Sequence, residues 1–362
     1  MKKKLTSTSP LKLLKDNGTL LLVLTIAAAY GFICSSLYGG GMSRQVANML
    51  IPISVYIVLA VSLNLVVGLL GELSLGHSGF MSVGLFSGCL LSIALADYLP
   101  LIVRLPLSML FGGLLATLAG FVVGLPALRL KGDYLAIVTL ACCEIIKNVI
   151  TNLGITGGAL GLNTMPIYSS VKELLPYAIV LVLMTVLVMM NLKKSKHGRA
   201  IMAIRDNRIA AESVGINVTR FKLTVFMIAA FFAGAAGTLY GHFFANVKAT
   251  SFDYNMSIEI LVIVVLGGMG SVPGSILAAI VLLALPEAMR EFSDYRMLIY
   301  AIVLILVMLA TNNPKIEACN FLLQHGHFDI RFSIMLTSKY RIALDFHFVN
   351  IDIYIIKVYF II

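Results

Sequence analysis

Apolar runs of roughly 20 residues, the length that carries a helix across a bilayer, alternate along this chain with short polar segments. Such runs are Thr19 to Tyr38, Ala47 to Leu70, Leu75 to Ala96, Leu101 to Leu128, Leu174 to Leu192 and Leu223 to Ala245, with a shorter one at Met297 to Ala310. Two further stretches are interrupted. Asp133 to Ile150 is apolar but contains Glu144 and Lys147, and Ser257 to Pro286 is broken by Gly267-Gly268-Met269-Gly270-Ser271-Val272-Pro273-Gly274. Clustered glycines do not sustain a helix, so this stretch is predicted to form two half-helices, Ser257 to Leu266 and Ser275 to Pro286, meeting at an irregular turn. The pattern as a whole predicts an all-α fold: a polytopic transmembrane helical bundle of about eight to ten spans, with discontinuous helices.

Composition supports the same class. Only 12% of the 362 residues are charged, against roughly 25% in soluble domains, too few to build a water-facing surface. The net charge of +10 does not point to nucleic acid. Its basic residues gather at Lys2, Lys3, Lys4, Lys12 and Lys15 and between Lys193 and Lys222, flanking apolar spans, and that distribution reports topology. With the N-terminus in the cytoplasm, four spans return the chain there at Arg129 and Lys131, and two more deliver Lys193 to Lys222 to the same side. Three regions follow: a basic cytoplasmic N-terminus (1–18), a transmembrane domain (19–310) with a cytoplasmic loop at 193–222, and a tail (311–362). The tail mixes Ile, Phe and Tyr with Lys, Asn, His and Asp without a clean span, and no function is assigned to it. Thr19 to Tyr38 lacks a small-residue cleavage site and is read as a retained anchor.

Little in the chain suggests catalysis. The five cysteines have no CxxC spacing and read as small buried hydrophobes. Six scattered histidines offer no metal-ligand spacing. No phosphate-cradling Gly-x-x-x-x-Gly-Lys-[Ser/Thr] run occurs, so no catalytic residue, metal or bound cofactor is expected, and energy for uphill transport must come from a partner or an ion gradient.

Three segments carry candidate function. In Gly198 to Asn217, Asp206 or Asn207 can cap a short helix and Gly215 can end it in the left-handed conformation. Ala210 and Ala211 leave that helix a slim face suited to a cleft in a soluble partner; an amphipathic loop on anionic lipid is the alternative. In Gly71 to Phe80, the polar Glu72, Ser74, His77 and Ser78 open a span, and the spacing predicts Ser74, His77 and Ser78 on one helix face. They line a path or simply join helices by hydrogen bonds. In the glycine-broken stretch, half-helix N-termini could attract a carboxylate, and Glu259 is the most costly group to bury. Asn64, Ser74, His77, Glu259, Gly267, Gly268 and Gly270 are the candidate path residues.

Several ordered motifs resemble a known family. Glu72-Leu-Ser-Leu-Gly-His-Ser-Gly-Phe80, Leu128-Arg-Leu-Lys-Gly-Asp-Tyr-Leu-Ala-Ile-Val-Thr-Leu140, Thr156-Gly-Gly158, Gly198-Arg-Ala200, Ile209-Ala-Ala-Glu-Ser-Val-Gly-Ile-Asn217, Ser257-Ile-Glu-Ile-Leu261, Gly267-Gly-Met-Gly-Ser271 and Tyr295-Arg-Met-Leu-Ile-Tyr300 are similar to the branched-chain amino acid permeases of the LivM type. The resemblance covers about residues 45 to 310. It implies a bacterial inner-membrane permease that carries Leu, Ile or Val. Its implied partners are two ATP-binding-cassette ATPase subunits, which use the ATP and magnesium, a second homologous permease and a periplasmic binding protein. It also implies that Arg205, Asp206, Arg208, Ala210, Ala211, Glu212 and Gly215 belong to the loop that meets the ATPases. Here the order Ala-Ala-Glu replaces the Glu-Ala-Ala common among importers. An ion-coupled secondary transporter, and a permease for a related small substrate such as urea or a short amide, remain as alternatives. The tail departs from the family, which usually closes soon after its last span, and a shifted reading frame would produce such an ending.

Overall fold

The computed structural model describes residues 43–130 and 132–288, together with residues 25, 26, 28, 30, 31 and 305. The runs Thr19 to Tyr38 and Met297 to Ala310 lie largely, and the tail wholly, outside the described residues. Ten α-helices organise the described part. α1 is Arg44–Asn64, continued by a π-helix at Leu65–Leu70; α2 is His77–Ala94, α3 Leu101–Ala127, α4 Asp133–Asn152 and α5 Val171–Lys194. α6 (Lys196–Asp206) and α7 (Arg208–Ser213) form the basic loop, and α8 (Val218–Phe243), α9 (Tyr254–Leu266) and α10 (Val272–Ala288) follow. Among the described residues seven segments are long and apolar enough to cross a membrane, and Asp133–Asn152 is one of them despite Glu144 and Lys147. Those two side chains neutralise each other as an ion pair one turn apart.

Polar residues at the junctions decide where most helices begin. Ser195, Asn207, Asn217 and Asp253 each accept a backbone N–H from the first turn that follows, at 3.0, 3.1, 3.1 and 3.2 Å. α5 opens with a reciprocal capping box between Ser170 and Glu173.

Helices α2, α3 and α8 form the tight centre, and small residues let their backbones meet. A Cβ on Gly84 would overlap the backbone of Gly234, and one on Gly234 would strike Ala116 of α3. Thr238 then donates across the contact to the Gly84 carbonyl at 2.9 Å, as expected where helices associate through small residues and interhelical hydrogen bonds. Residues of α3 that point away from this centre, among them Ile102, Leu110, Leu114, Leu118 and Val122, form an exposed apolar stripe, the surface a span presents to lipid or to another span.

The bundle has two distinguishable ends. At one, the basic loop, the π-helix and the turn between α9 and α10 come together. At the other, a two-stranded antiparallel pairing of β1 (Leu162–Asn163) with β2 (Asn246–Val247) joins the α4–α5 connection to the α8–α9 connection.

Candidate functional site

Backbone that leaves helical bonding inside a membrane bundle is tolerated where protein or a cavity surrounds it, so the irregular segments locate the site. The first is Gly71–Gly76. Gly71, at φ 75°, closes the π-helix, and the chain then runs back along the bundle without helical structure until α2 starts. His77 at that start is buried, with Nε2 2.9 Å from the Ser62 hydroxyl. Ser62 lies roughly 12 Å along the helix from Leu70, at about 1.5 Å per residue. The segment therefore re-enters the bundle, and the Leu75 N–H is met there by the Thr139 hydroxyl at 3.0 Å.

This arrangement corrects the expectation that Ser74, His77 and Ser78 share one helix face. Ser74 precedes the helix, because glycines at 71 and 76 bracket a segment that does not coil, and His77 is the first helical residue. Ser74 is nevertheless buried. Glu72 reaches across to Lys222 of α8, and the pair is sequestered, with side chains only 14% and 5% exposed. A buried charge needs such a partner, and nothing in the local spacing announces one separated by so many residues.

The second irregular segment is the α8–α9 connection, Phe244 to Asp253. It leads from the β pairing back to Ser78, so that the N-termini of α2 and α9 meet inside the bundle. The Ser78 hydroxyl lies 2.7 Å from that of Ser257 and donates to the Asp253 carbonyl at 2.9 Å, while the Ser78 N–H donates to Ser257 at 3.2 Å. Tyr254 N–H is held by the Glu144 carboxylate at 3.2 Å. Ser257, Glu144 and Asp253 were not singled out for this role from sequence. Asp253 and Ser257 carry one local signal, a polar residue at the start of a half-helix, and Glu144 another, a charge inside an apolar run. Nearby on α9, Glu259 accepts from the Tyr56 hydroxyl at 3.2 Å and stays part-buried.

The glycine break lies at the basic-loop end of the bundle, apart from these two irregular segments. α9 and α10 are the two predicted half-helices, slightly longer than expected, but their turn lies at the basic-loop end, against the π-helix. Gly268 and Gly270 adopt φ 86° and 83°, which only glycine takes freely. Gly68 packs so closely on Gly270 that any side chain at 68 would collide with its backbone. Asn64 fastens the turn: its Oδ1 accepts from Gly270 N–H at 2.7 Å, and its Nδ2 donates to the Ser271 carbonyl at 3.1 Å and the Ser275 hydroxyl at 2.8 Å. Asn64, a candidate path residue, thus bonds three groups at the turn and the start of α10.

In the basic loop, Asn207 caps α7 and Gly215, at φ 87°, follows its C-terminus. Asp206 is not the cap; it pairs with Arg205 at 3.2 Å, and Arg208 pairs with Glu212 at 2.9 Å. The expected slim alanine face is half wrong. Ala210 is exposed but Ala211 turns inward, 4% exposed, while Ile209 and Val214 stand out at 80% and 81%. The six-residue helix has one narrow side, and the bundle takes it.

A helical bundle with seven apolar candidate spans among the described residues and buried non-helical backbone defines a multi-pass membrane protein. A family model described as the branched-chain amino acid transport system permease component matches residues 45–308, and the chain belongs to that family. It is 37% identical over 326 residues to the high-affinity branched-chain amino acid transport system permease protein LivM of Salmonella typhimurium, covering 82% of this chain and 73% of that protein. The Escherichia coli protein of the same name is 36% identical over the same shares. The E. coli permease protein LivH is 28% identical over 35% of this chain and 43% of its own length. No solved structure matches the chain.

Proposed function

We propose that this chain is the membrane-spanning permease of an ATP-binding-cassette importer that carries Leu, Ile or Val across the bacterial inner membrane. The observation that carries the reading is the full-bundle family match, together with a loop whose Ile209 and Val214 stand uncovered beside paired charges. Exposed aliphatic side chains on a capped helix at a basic end suit a hydrophobic cleft in a soluble partner. Two ATP-binding subunits are that partner, and they handle the ATP and magnesium; this chain contributes the path and the lever, with no nucleotide site of its own. A second, homologous permease completes the pair, in keeping with the similarity to both LivM and LivH, and a periplasmic binding protein delivers the amino acid.

The basic loop, Lys193 to Lys222, faces the cytoplasm by the positive-inside rule, as does the N-terminus. The path runs beside the re-entrant segments, where Ser74, His77 and Glu259 lie, and alternating access opens it to each side in turn as the ATPases close and part. Co-purification tests the reading. Wild-type chain is expected to retain its ATP-binding subunits, and a variant with Ile209→Asp and Val214→Asp to lose them while still inserting. Uptake of leucine that proceeds in wild type with no ATPase bound would instead favour an ion-coupled transporter.

A further inference from the structure

We propose that Arg205 and Asn64 are positioning residues of one clamp, which ties the basic loop to the π-helix and the α9–α10 turn at its end of the bundle. The clamp rests on the importer reading and extends it. Arg205 is expected among the residues that meet a partner; its side chain is 43% exposed and its Nε and Nη2 bond Asp206, while Nη1 alone reaches inward. Nη1 donates to the Gly68 carbonyl at 2.9 Å, and its aliphatic stem lies over Gly71, where a Cβ would collide with it. The Gly68 carbonyl is available because the N–H groups of Gly71 and Glu72 both turn back to Val66 in the π-helix, a distortion that commonly marks functional positions.

A second cation repeats the device. Lys193, at the end of α5, donates from Nζ to the Gly270 carbonyl at 2.8 Å. The two carbonyls belong to segments that touch, Gly68 on Gly270, and the Asn64 amide bonds three groups of the turn across that contact. A displacement of α6 is thereby passed by Arg205 to the π-helix and by Asn64 to the α9–α10 turn. The π-helix leads directly into Gly71–Gly76, whose far end is His77 at the meeting of α2 and α9. Loop and path are joined by hydrogen bonds to backbone, which do not depend on side-chain packing between them.

The test uses the assembled transporter in proteoliposomes with its binding protein. Arg205→Ala is expected to keep the ATP-binding subunits and hydrolyse ATP within about twofold of wild type. Leucine uptake per ATP should fall roughly tenfold, the scale set by one hydrogen bond to a charged group. Arg205→Lys, which keeps a charge and a donor, should recover about half of it. Unchanged uptake per ATP in Arg205→Ala overturns the clamp. Loss of the ATPases from that variant also overturns it, making Arg205 a docking contact while the importer reading stands. Should wild type bind no ATPase, the importer reading fails and amide exchange of the full chain in nanodiscs decides the clamp alone. Arg205→Ala and Asn64→Ala should then speed exchange in both 66–72 and 267–271 by about tenfold, with α2 and α8 unaffected; exchange unaltered in either segment overturns it.

Discussion

Single residues in this protein matter most where a polar group has left water. Glu72 and Lys222 are the clearest pair, since each would be an uncompensated charge without the other, and the second Glu72 oxygen already lacks a hydrogen-bond partner. Removing one partner of a buried pair costs about 3–5 kcal/mol, whereas replacing both is close to neutral. Lys222→Met should therefore lower thermal stability in nanodiscs sharply, and the double variant Lys222→Met with Glu72→Gln should recover most of the loss. A double variant no more stable than Lys222→Met would mean that the pair is not a closed unit. Lys222 begins a span, and its charge by itself reads as a topology signal; that it is spent on Glu72 follows from α8 packing beside the re-entrant segment.

Among the elements, helix starts were largely legible and helix continuity was not. Ser195, Asn207, Asn217 and Asp253 are the residue types that cap helices, and each does so. The span Leu75 to Ala96 reads as one apolar run, yet its first two residues are not helical and the helix waits until His77, because hydropathy reports burial and is silent on whether buried backbone is coiled. What holds the two N-termini together is the Ser78–Ser257 contact. Interhelical hydrogen bonds inside membranes are worth about 0.6 kcal/mol on average, up to roughly 1.7, and this one is buried and supplemented by the Asp253 carbonyl. A double-mutant cycle of Ser78→Ala and Ser257→Ala, read by unfolding in bicelles, is expected to give a coupling of about 1 kcal/mol. Additive effects would show that the helices are held by packing alone.

For the whole molecule, the positive-inside rule predicts a cytoplasmic basic loop, and the fold sets what lies at each end. A cysteine at Ser213, introduced into a cysteine-free background, should react with a membrane-impermeant maleimide only after the cells are opened, and one at Leu160, exposed at the opposite end, should react in intact spheroplasts. The reverse pattern would invert the topology and place the Ile209–Val214 face away from any cytoplasmic ATPase. The sequence by itself determined the membrane class, most spans, the basic end and the family, because length, hydropathy and charge asymmetry act along the chain and are read locally. Only the tertiary structure decided that the glycine break is a turn under the π-helix, that re-entrant backbone lies at Gly71–Gly76 and Phe244–Asp253, that Ala211 faces inward, and that Arg205 reaches Gly68. Each of these depends on a contact between segments far apart in the chain, and a hydrogen bond donated across a bundle leaves no period or spacing in the sequence that carries it.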